Sequence, residues 1–457
     1  MSERGEPLEP TPERFRALAE RLLAFTEQER ARTLEEPMRR PRHAAPTPEL
    51  DATHPAGLDA ALAELREAVL DSWNTTSPRY MGFIPGGGLP TAALADFVAL
   101  AMNRYVGIRT MAPALAGLET SVVRWLSDLV GYSESALGVL TSGGSASILT
   151  AVVAAREARL STRHDASHAT LYVSEQTHGS VRKAARTAGF PSDAVRSVPV
   201  DACYRMNPRA LDAIMRDDAA RGRRPFLVVA SAGTTNTGAI DPLVDVCSVG
   251  ARHGAWVHAD AAYGGFFLLT ERGKRLLAGV ERCDSVTLDP HKGMFLPYGT
   301  GALVVRRGTD LSRAFALSAG YLRDVRLEES EPSFVDLSFE MSREFRGLRL
   351  WLPLKLHGAD RFRDALDEKL DLAAHAYREL SRDDRLELLD EPQLTTLVFR
   401  PRHGDANALL EAVNASGRAF LSSTVLDGKV TVRMCILGFR TERRHVDDAI
   451  AAIRASL

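Results

Sequence analysis

The chain has 457 residues, of which 45% are hydrophobic and 25% charged, and its formal net charge is −2. At ~150 residues per domain, this length corresponds to two or three domains with an ordinary globular composition. The near-neutral charge argues against nucleic acid or an anionic membrane as partner, because such partners select basic surfaces. No run of about 18 apolar residues occurs, so no membrane span is expected.

Lysine is rare in this chain. Of the 57 lysines and arginines, six are lysines. Base composition explains this bias. Because lysine is rare, however, a lysine inside an apolar, glycine-rich stretch is harder to attribute to chance. The four cysteines include no CxxC pair, which argues against a disulfide framework and against a zinc or other metal site. Free thiols and the lack of a signal-peptide pattern favour a cytoplasmic location.

The first 75 residues are predicted to form a helical arm. Helical patterns cover residues 12–33 and 57–73, with a Pro- and Arg-rich stretch between them. Residues 77–90 are dense in Pro and Gly, which is typical of a loop.

Residues 76–345 are predicted to form a large α/β domain. Short apolar runs alternate there with helical patterns, which implies βαβ units and a mostly parallel sheet. The predicted strands are Leu137–Thr141, Thr170–Ser174, Arg196–Val200, Phe226–Ala230, Trp256–Ala259, Ser285–Leu288 and Ala302–Arg306. The predicted helices cover 145–160, 178–188, 208–221, 242–253 and 270–280.

Residues 346–457 are predicted to form a small α+β domain. A long helix reaches about residue 381 and is followed by a strand, a helix, two strands joined at Asp427 and Gly428, and a final helix. The order of elements therefore predicts an α/β body with a smaller C-terminal domain.

Unusual residues follow several predicted strands, where parallel sheets bind their ligands. TSGGSAS places Gly144 and Ser145 before a helix, which indicates an anion site or an ordinary tight turn. SEQTHGS places His178 after the next strand, as a functional or a structural histidine. SAGTTNTGAIDP supplies Thr234, whose loop is also compatible with plain turn chemistry.

Two further strand ends carry ionisable groups. Asp260 closes a buried strand, and a buried carboxylate needs a partner. In SVTLDPHKGM, His291 and Lys292 close the next strand, and a desolvated lysine is a candidate amine nucleophile. The alternative is a lysine whose stem lies along the surface while its amine reaches solvent. An anion cradle, an imidazole, hydroxyls, a carboxylate and an amine at one rim together match the needs of pyridoxal phosphate.

The sequence resembles the pyridoxal-phosphate-dependent amino acid decarboxylases, the group that includes the aromatic-amino-acid, histidine and glutamate enzymes. The likeness covers residues 57–457 and rests on APALAGLE (Ala112–Glu119), DAA, DPHK and FRGLRLW in the order of that family. It implies a fold-type I enzyme with a seven-stranded sheet. It also implies a homodimer with its sites at the interface, clasped by the N-terminal helices.

The resemblance also implies roles for individual residues. Lys292 would form the Schiff base, Asp260 would pair with the pyridine nitrogen, and His178 would stack on the ring. The remaining implied positions are Gly144, Ser145 and His291 at the phosphate, Thr234 and Ala262 along the ring, and Phe83, Ile84, Pro85 and Arg109 at the substrate. The segment that begins with Arg109 would reach into the site of the partner subunit. The implied reaction is loss of the α-carboxylate of an L-amino acid through a quinonoid, giving an amine and CO2.

One departure from the family concerns the final proton. The family places a tyrosine on a mobile loop, and aligning SREFRGLRLW puts that loop at 322–341, which contains no tyrosine. Phe334 is then the equivalent residue and Tyr321 the nearest tyrosine. A phenylalanine there resembles the aldehyde synthases of the family, in which oxygen intercepts the intermediate. The alternative is a reorganised loop in which Tyr321, His178 or another acid delivers the proton.

Alternatives remain open for both the substrate and the reaction class. Arg109 would suit a second carboxylate or a rim salt bridge, whereas Phe83, Tyr80 and Ile84 would suit an apolar side chain. An aminotransferase or a cysteine desulfurase would share the fold, although Cys283 lies at the far end of its strand. An inactive relative is the third alternative.

Overall fold

The computed structural model describes residues 8–38, 50, 53, 56–160, 163–316 and 332–457. Its N-terminal part consists of two helices, α1 (Pro12–Glu35) and α2 (Leu58–Leu70), as predicted. The side chain of Thr11 caps α1 by accepting from the Arg14 amide. Arg66 Nε lies 2.7 Å from Glu29 Oε1 and ties the two helices together.

A seven-stranded sheet forms the centre of the fold, in the order β1-β7-β6-β5-β4-β2-β3. Strand β7 is antiparallel to both of its neighbours, whereas the other pairs are parallel. The strands are β1 (Leu137–Thr141), β2 (Ala169–Ser174), β3 (Val195–Val198), β4 (Arg224–Ser231), β5 (Trp256–Ala261), β6 (Ser285–Leu288) and β7 (Gly301–Val305). All seven predicted strands are confirmed, and no end differs by more than two residues.

Helices cover both faces of this sheet. They are α3 (Pro90–Met102), α4 (Pro113–Val130), α5 (Gly144–Arg159), α6 (Arg163–His168), α7 (Gly179–Thr187), α8 (Pro208–Ala220), α9 (Leu243–Arg252), α10 (Glu271–Leu276), α11 (Pro290–Gly293) and α12 (Gly308–Phe315). The helix predicted over 270–280 is shortened to the single α-helical segment α10, because Leu277 ends it and a 3-10 turn follows. Strands β4 and β5 are almost wholly buried, which explains the continuous apolar run Phe226–Ala230 in β4.

The C-terminal part has its own antiparallel sheet, in the order β10-β11-β9-β8. Its elements are α13 (Gly347–Leu380), β8 (Leu386–Leu388), β9 (Thr396–Pro401), α14 (Ala406–Ala415), β10 (Ser422–Leu426), β11 (Lys429–Cys435) and α15 (Arg443–Ala455). Asp427 and Gly428 both have positive φ, as a two-residue hairpin turn of this kind requires.

The sequence did not predict β8, and it did not predict a break in α13, where Gly358 takes φ 72°. The fold class is confirmed, and the domain boundaries at 75 and 345 stay predictions. Within the described ranges, no helix combines the length and apolarity needed to cross a membrane.

Candidate active site

Five strands of the large sheet end at one cavity of about 260 Å³. Segments that follow β1, β2, β4, β5 and β6 supply its walls, as expected for the carboxyl edge of a parallel sheet. The lining includes every residue that the sequence predicted for cofactor binding: Gly144, Ser145, His178, Thr234, Asp260, Ala262, His291 and Lys292.

The first wall is the N-terminus of α5, a helix of 16 residues. Gly143 takes φ 147°, a conformation that favours glycine and turns the chain from β1 into the helix. A Cβ on Gly144 would lie 2.9 Å from Asp289 Oδ2, so this position has no room for a side chain. Unpaired amide groups at a helix N-terminus attract anions, and a phosphate group suits this wall.

Lys292 lies in the one-turn helix α11, which directly follows β6. Its Nζ is 2.9 Å from Oδ2 of Asp289, and the side chain of Asp289 is 2% exposed against 22% for Lys292. Within the described ranges, no hydrogen-bond donor reaches Asp289 Oδ1. The amine is therefore held inside the cavity by a carboxylate that is itself almost fully buried.

His291 is oriented by the segment before β7. Its Nδ1 lies 2.6 Å from the carbonyl oxygen of Thr300, and because a carbonyl can only accept, Nδ1 carries a proton. Arg349 donates to Thr300 Oγ1 at 2.7 Å and to the Gly299 carbonyl at 3.0 Å, which holds this segment in place. Nε2 of His291 lies 3.7 Å from Asp289 Oδ2.

Asp260 closes β5 and is buried, with Oδ1 accepting from the Ala262 amide at 3.2 Å. His258 precedes it by two residues and therefore stands on the same face of the strand. Burial lowers the pKa of His258 to about 4, so its imidazole is neutral at physiological pH. Its two ring nitrogens lie 2.8 Å from Ser285 Oγ and 3.2 Å from Thr287 Oγ1.

The remaining walls are a histidine and a hydroxyl-rich loop. His178 caps α7, and its exposed ring lies with Nδ1 2.7 Å from Ser180 Oγ. Thr234 is buried, and its hydroxyl lies 2.8 Å from that of Thr237. Asp241 anchors this loop by accepting hydrogen bonds from the backbone amides of Met206 and Ser231, both at 2.7 Å. Burial raises the pKa of Asp241 to about 6.

These residues fit pyridoxal 5′-phosphate. The helix N-terminus matches a phosphate, Lys292 supplies a primary amine, and Asp260 supplies a carboxylate on the same cavity. The bare backbone at Gly144 leaves the space that such a phosphate would take. No group of three or more potential metal ligands occurs within the ranges that the structure describes.

The predicted substrate residues 83–85 lie beside this cavity rather than in its lining. Phe83 takes φ 51° and is 58% exposed, whereas Ile84 packs against the core and Pro85 is buried. The next residue, Gly86, lies against His291, because a Cβ there would be 3.1 Å from the carbonyl of His291. The segment therefore passes the mouth of the cavity.

Arg109 and Phe334 are not brought to this cavity in the same chain. Both line a separate cavity of about 220 Å³. Arg109 donates from Nη2 to Thr120 Oγ1 at 2.9 Å, so its guanidinium is directed onto α4. Phe334 is 5% exposed and packs into the core of its own chain, and its equivalence to the loop tyrosine stays a prediction. Tyr321 lies outside the described residues.

Sequence reasoning missed several residues of the cavity lining. No role is assigned from the sequence to Asp289, although it lies within DPHK, and none to Ser231 or Tyr263. The alternation of side chains along β6 gives a signal for Asp289, because Thr287 and Asp289 face the same way. A second carboxylate at the edge that carries Asp260 is therefore readable from the sequence.

Comparison with known proteins adds independent findings. The pyridoxal-dependent decarboxylase conserved domain matches residues 41–402. An aromatic-L-amino-acid decarboxylase of Bacillus atrophaeus is 33% identical over 389 residues, covering 83% of this chain and 81% of that protein. A phenylacetaldehyde synthase of Petunia hybrida is 27% identical over 438 residues, covering 89% and 86%.

The comparison of folds agrees with the comparison of sequences. The crystal structure of Oryza sativa TDC with PLP and tryptamine superposes with a TM-score of 0.91 at 27% identity, covering 99% of each chain. The chain therefore belongs to the pyridoxal-dependent decarboxylase family and is a carboxy-lyase that works with pyridoxal 5′-phosphate.

Proposed function

We propose that the chain removes the α-carboxylate of an aromatic L-amino acid and releases the amine and CO2. The observation that carries the proposal is the presence of an amine, a carboxylate and an anion cradle on one cavity. The 33% identity to a protein named as an aromatic-amino-acid decarboxylase supports the substrate class.

Three side chains would carry the chemistry of the cofactor site. Lys292 would attach the cofactor and be displaced by the substrate amine. Asp260 would hold a proton on the pyridine nitrogen, and His178 would cover one face of the ring. When bound, the cofactor supplies an electron sink for the pair that remains after CO2 leaves. The chain's remaining task is to hold the scissile bond in the productive orientation.

The final proton to Cα is assigned to Tyr321, with His178 as the alternative donor. Phe334 is the alternative residue at this position, and its ring is buried in the core of its own chain, which favours a packing role. The aldehyde-synthase alternative depends on Phe334 standing in place of a tyrosine at the reacting centre.

Side chains at the mouth favour an aromatic rather than an acidic substrate. Phe83 and Tyr298 are each 58% exposed, and the Tyr298 ring lies 5.6 Å from that of His291. Exposed aromatic rings beside a polar cavity suit stacking on a flat substrate. Arg109, the candidate partner of a second carboxylate, donates to Thr120 in its own chain, and its place in the partner's site stays a prediction.

A homodimer is part of the proposal. Helix α3 exposes an apolar face, and its members are Leu94, Phe97, Val98, Leu100 and Met102. A contiguous apolar surface of this kind is typical of a subunit interface. A second copy of this chain is the occupant that the family resemblance favours. The location in a reducing, cytoplasmic compartment remains a prediction that the four free cysteines suit.

The second candidate is decarboxylation coupled to oxidation, giving aldehyde, ammonia and peroxide, which the likeness to the Petunia aldehyde synthase favours. A cysteine desulfurase is not favoured. All four cysteines lie in the described ranges, and none of them lines the cofactor cavity. Cys283 and Cys247 are buried with their sulfurs 3.6 Å apart.

The test is a product balance on the purified holoenzyme. L-tyrosine, L-tryptophan, L-phenylalanine and L-glutamate are supplied separately while CO2, amine, aldehyde and peroxide are measured together. The proposal expects CO2 and amine in equal amounts from an aromatic substrate, with no peroxide. Peroxide equal to CO2 supports the second candidate, and CO2 from glutamate alone overturns the aromatic assignment.

A further inference from the structure

Lys292 and His291 both approach one carboxylate oxygen of Asp289, in the segment that follows β6. Oδ2 of Asp289 lies 2.9 Å from Lys292 Nζ and 3.7 Å from His291 Nε2. The side chain of Asp289 is 2% exposed, and no other described donor reaches its second oxygen. An amine and an imidazole are thus connected through one buried carboxylate, in a lining that also contains the anion cradle.

A hydrogen bond to Thr300 determines which nitrogen of His291 can accept a further proton. Nδ1 of His291 carries a proton because it donates to the Thr300 carbonyl, so a neutral ring has its free lone pair on Nε2. That lone pair is on the nitrogen nearest Asp289. His291 can therefore accept a second proton only at the end that faces the carboxylate and the cavity.

Loading the cofactor places two demands on these residues. A lysine attacks an aldehyde only as the free amine, so Lys292 must lose a proton held next to Asp289. His291 lies beside the cradle, because a Cβ on Gly143 would be 3.6 Å from its Cε1. A phosphate there is stabilised more by an imidazolium than by a neutral ring, because opposite charges attract strongly inside a protein cavity. One proton transfer satisfies both demands.

We propose that Asp289 relays a proton from Lys292 to His291 when the phosphate of the cofactor enters the cradle. The N–H bond of the ammonium breaks, Oδ2 takes that proton, and a proton passes to Nε2 of His291. The products are a neutral amine, an imidazolium and an unchanged carboxylate, so charge and atoms balance. The 3.7 Å gap exceeds a hydrogen bond, so His291 completes the transfer as its ring moves toward Oδ2.

The relay couples recognition of the phosphate to activation of the nucleophile. An aldehyde that lacks a phosphate does not draw the proton to His291, and Lys292 then stays an ammonium for longer. The other titratable groups on the cavity lining are Asp260, His178 and Tyr263. Arg349 supports the relay from outside, because it holds the Thr300 segment that orients His291.

The proposal rests on Lys292 being the attachment point, and its test uses no amino acid substrate. Apoprotein is mixed with pyridoxal 5′-phosphate or with 5′-deoxypyridoxal, which keeps the aldehyde and lacks the phosphate. Absorbance gives the limiting first-order rate constant of covalent capture at saturating aldehyde. In the wild-type protein we expect the phosphorylated aldehyde to be captured faster by about tenfold or more at pH 7.

Asp289→Asn removes the relay, and we expect the ratio of the two capture rates to fall close to one. His291→Gln should reduce the same ratio and covers the case in which the first variant fails to fold. Asp217→Asn is the matched control, since Asp217 lies on the surface in an exposed pair with Arg221, and it should keep the wild-type ratio.

Two results would overturn the relay. One is a ratio in Asp289→Asn and His291→Gln equal to that of the wild type. The other is an equal fall in the capture rate constants of both aldehydes, since that pattern means that Asp289 only holds the lysine in place. Capture that persists in Lys292→Ala would instead contradict the attachment point itself, so the two failures are distinguishable.

Discussion

The ring of Phe334 lies over the guanidinium of Arg343, with 4.9 Å between the ring centroid and Cζ. Arg343 is fully buried, pairs with Glu119 at 2.5 Å and donates to the carbonyl of Leu140 at the end of β1. Phe334 therefore belongs to the packing that joins α4 and the start of α13 to the sheet. This contact favours a packing role for Phe334 over a role at the reacting centre.

Phe334→Tyr tests this packing role. We expect the product ratio to stay unchanged and the protein to become less stable, because the added hydroxyl enters a buried site. A buried hydroxyl without a partner costs about 1–3 kcal/mol. Amine, aldehyde and peroxide assays together with a thermal melt measure both effects. A shift from aldehyde to amine in this variant would show that residue 334 acts at the reacting centre.

Tyr321→Phe is the complementary variant. If Tyr321 delivers the proton, the variant should make less amine per CO2 and should release aldehyde and peroxide instead. The expected loss of amine formation is about 10²-fold, in the range of a general acid. Unchanged amine output would assign the proton to His178 or to another acid.

Gly144→Ala should weaken cofactor binding. The new methyl group would lie 2.9 Å from Asp289 Oδ2, and overpacking of this kind costs about 1–3 kcal/mol. We expect the dissociation constant of pyridoxal 5′-phosphate to rise by about tenfold, since 1.4 kcal/mol corresponds to that factor. Fluorescence titration of the apoprotein measures it.

Gly179→Ala is the matched control, because Gly179 is also the first residue of a helix and a Cβ there meets nothing within 4 Å. It should bind the cofactor as the wild type does. Equal weakening in both variants would contradict the role assigned to the contact between Gly144 and Asp289.

His258 should make the protein sensitive to acid. Burial lowers its pKa to about 4, against 6.5 in the unfolded chain, so the unfolded state binds more protons between these pH values. Stability is therefore complete above pH 6.5 and is lost as the pH falls toward 4. The contribution is about 3 kcal/mol at 1.36 kcal/mol per pH unit.

His258→Gln removes this contribution. Urea unfolding at pH 7 and pH 4.5, at one fixed cofactor concentration, should show a smaller acid-induced loss in the variant than in the wild type. An identical loss in both proteins would mean that His258 titrates normally in the folded state.

Leu100→Asp tests the proposed dimer face on α3. Leu100 is 61% exposed, and a carboxylate on a subunit interface would be buried without a partner. Sedimentation should show a shift from dimer to monomer. Val425→Asp, at an equally exposed position on β10, should leave the assembly unchanged. A dimer that persists in Leu100→Asp would place the interface elsewhere.

The sequence predicted the parts that depend on local patterns. Strand β1 is readable because Leu137–Thr141 is a short, mostly apolar run with matching bounds in the structure, and the ligand edge of strands such as β6 follows from parallel pairing. Lys292 and Asp260 stand at such edges, so their meeting in one cavity was predictable. Parallel pairing places neighbouring carboxyl ends at the same edge of the sheet whatever the loops contain.

The remaining features depend on long-range contacts that no local pattern encodes. The burial of Phe334 depends on Arg343 and Glu119, which are 224 residues apart in the chain. The direction of Arg109 depends on Thr120, which lies one helix segment away on α4. The sequence places Phe334 by alignment to a family loop and Arg109 by resemblance to a family wall segment, and neither spacing nor composition shows which way a side chain turns.

Borohydride reduction of the holoenzyme, followed by peptide mass mapping, tests the central claim most directly. The proposed site predicts one pyridoxyl group per chain, on the peptide that contains Lys292, and none in Lys292→Ala. A label on one of the other five lysines, or a label that survives in Lys292→Ala, would contradict the site.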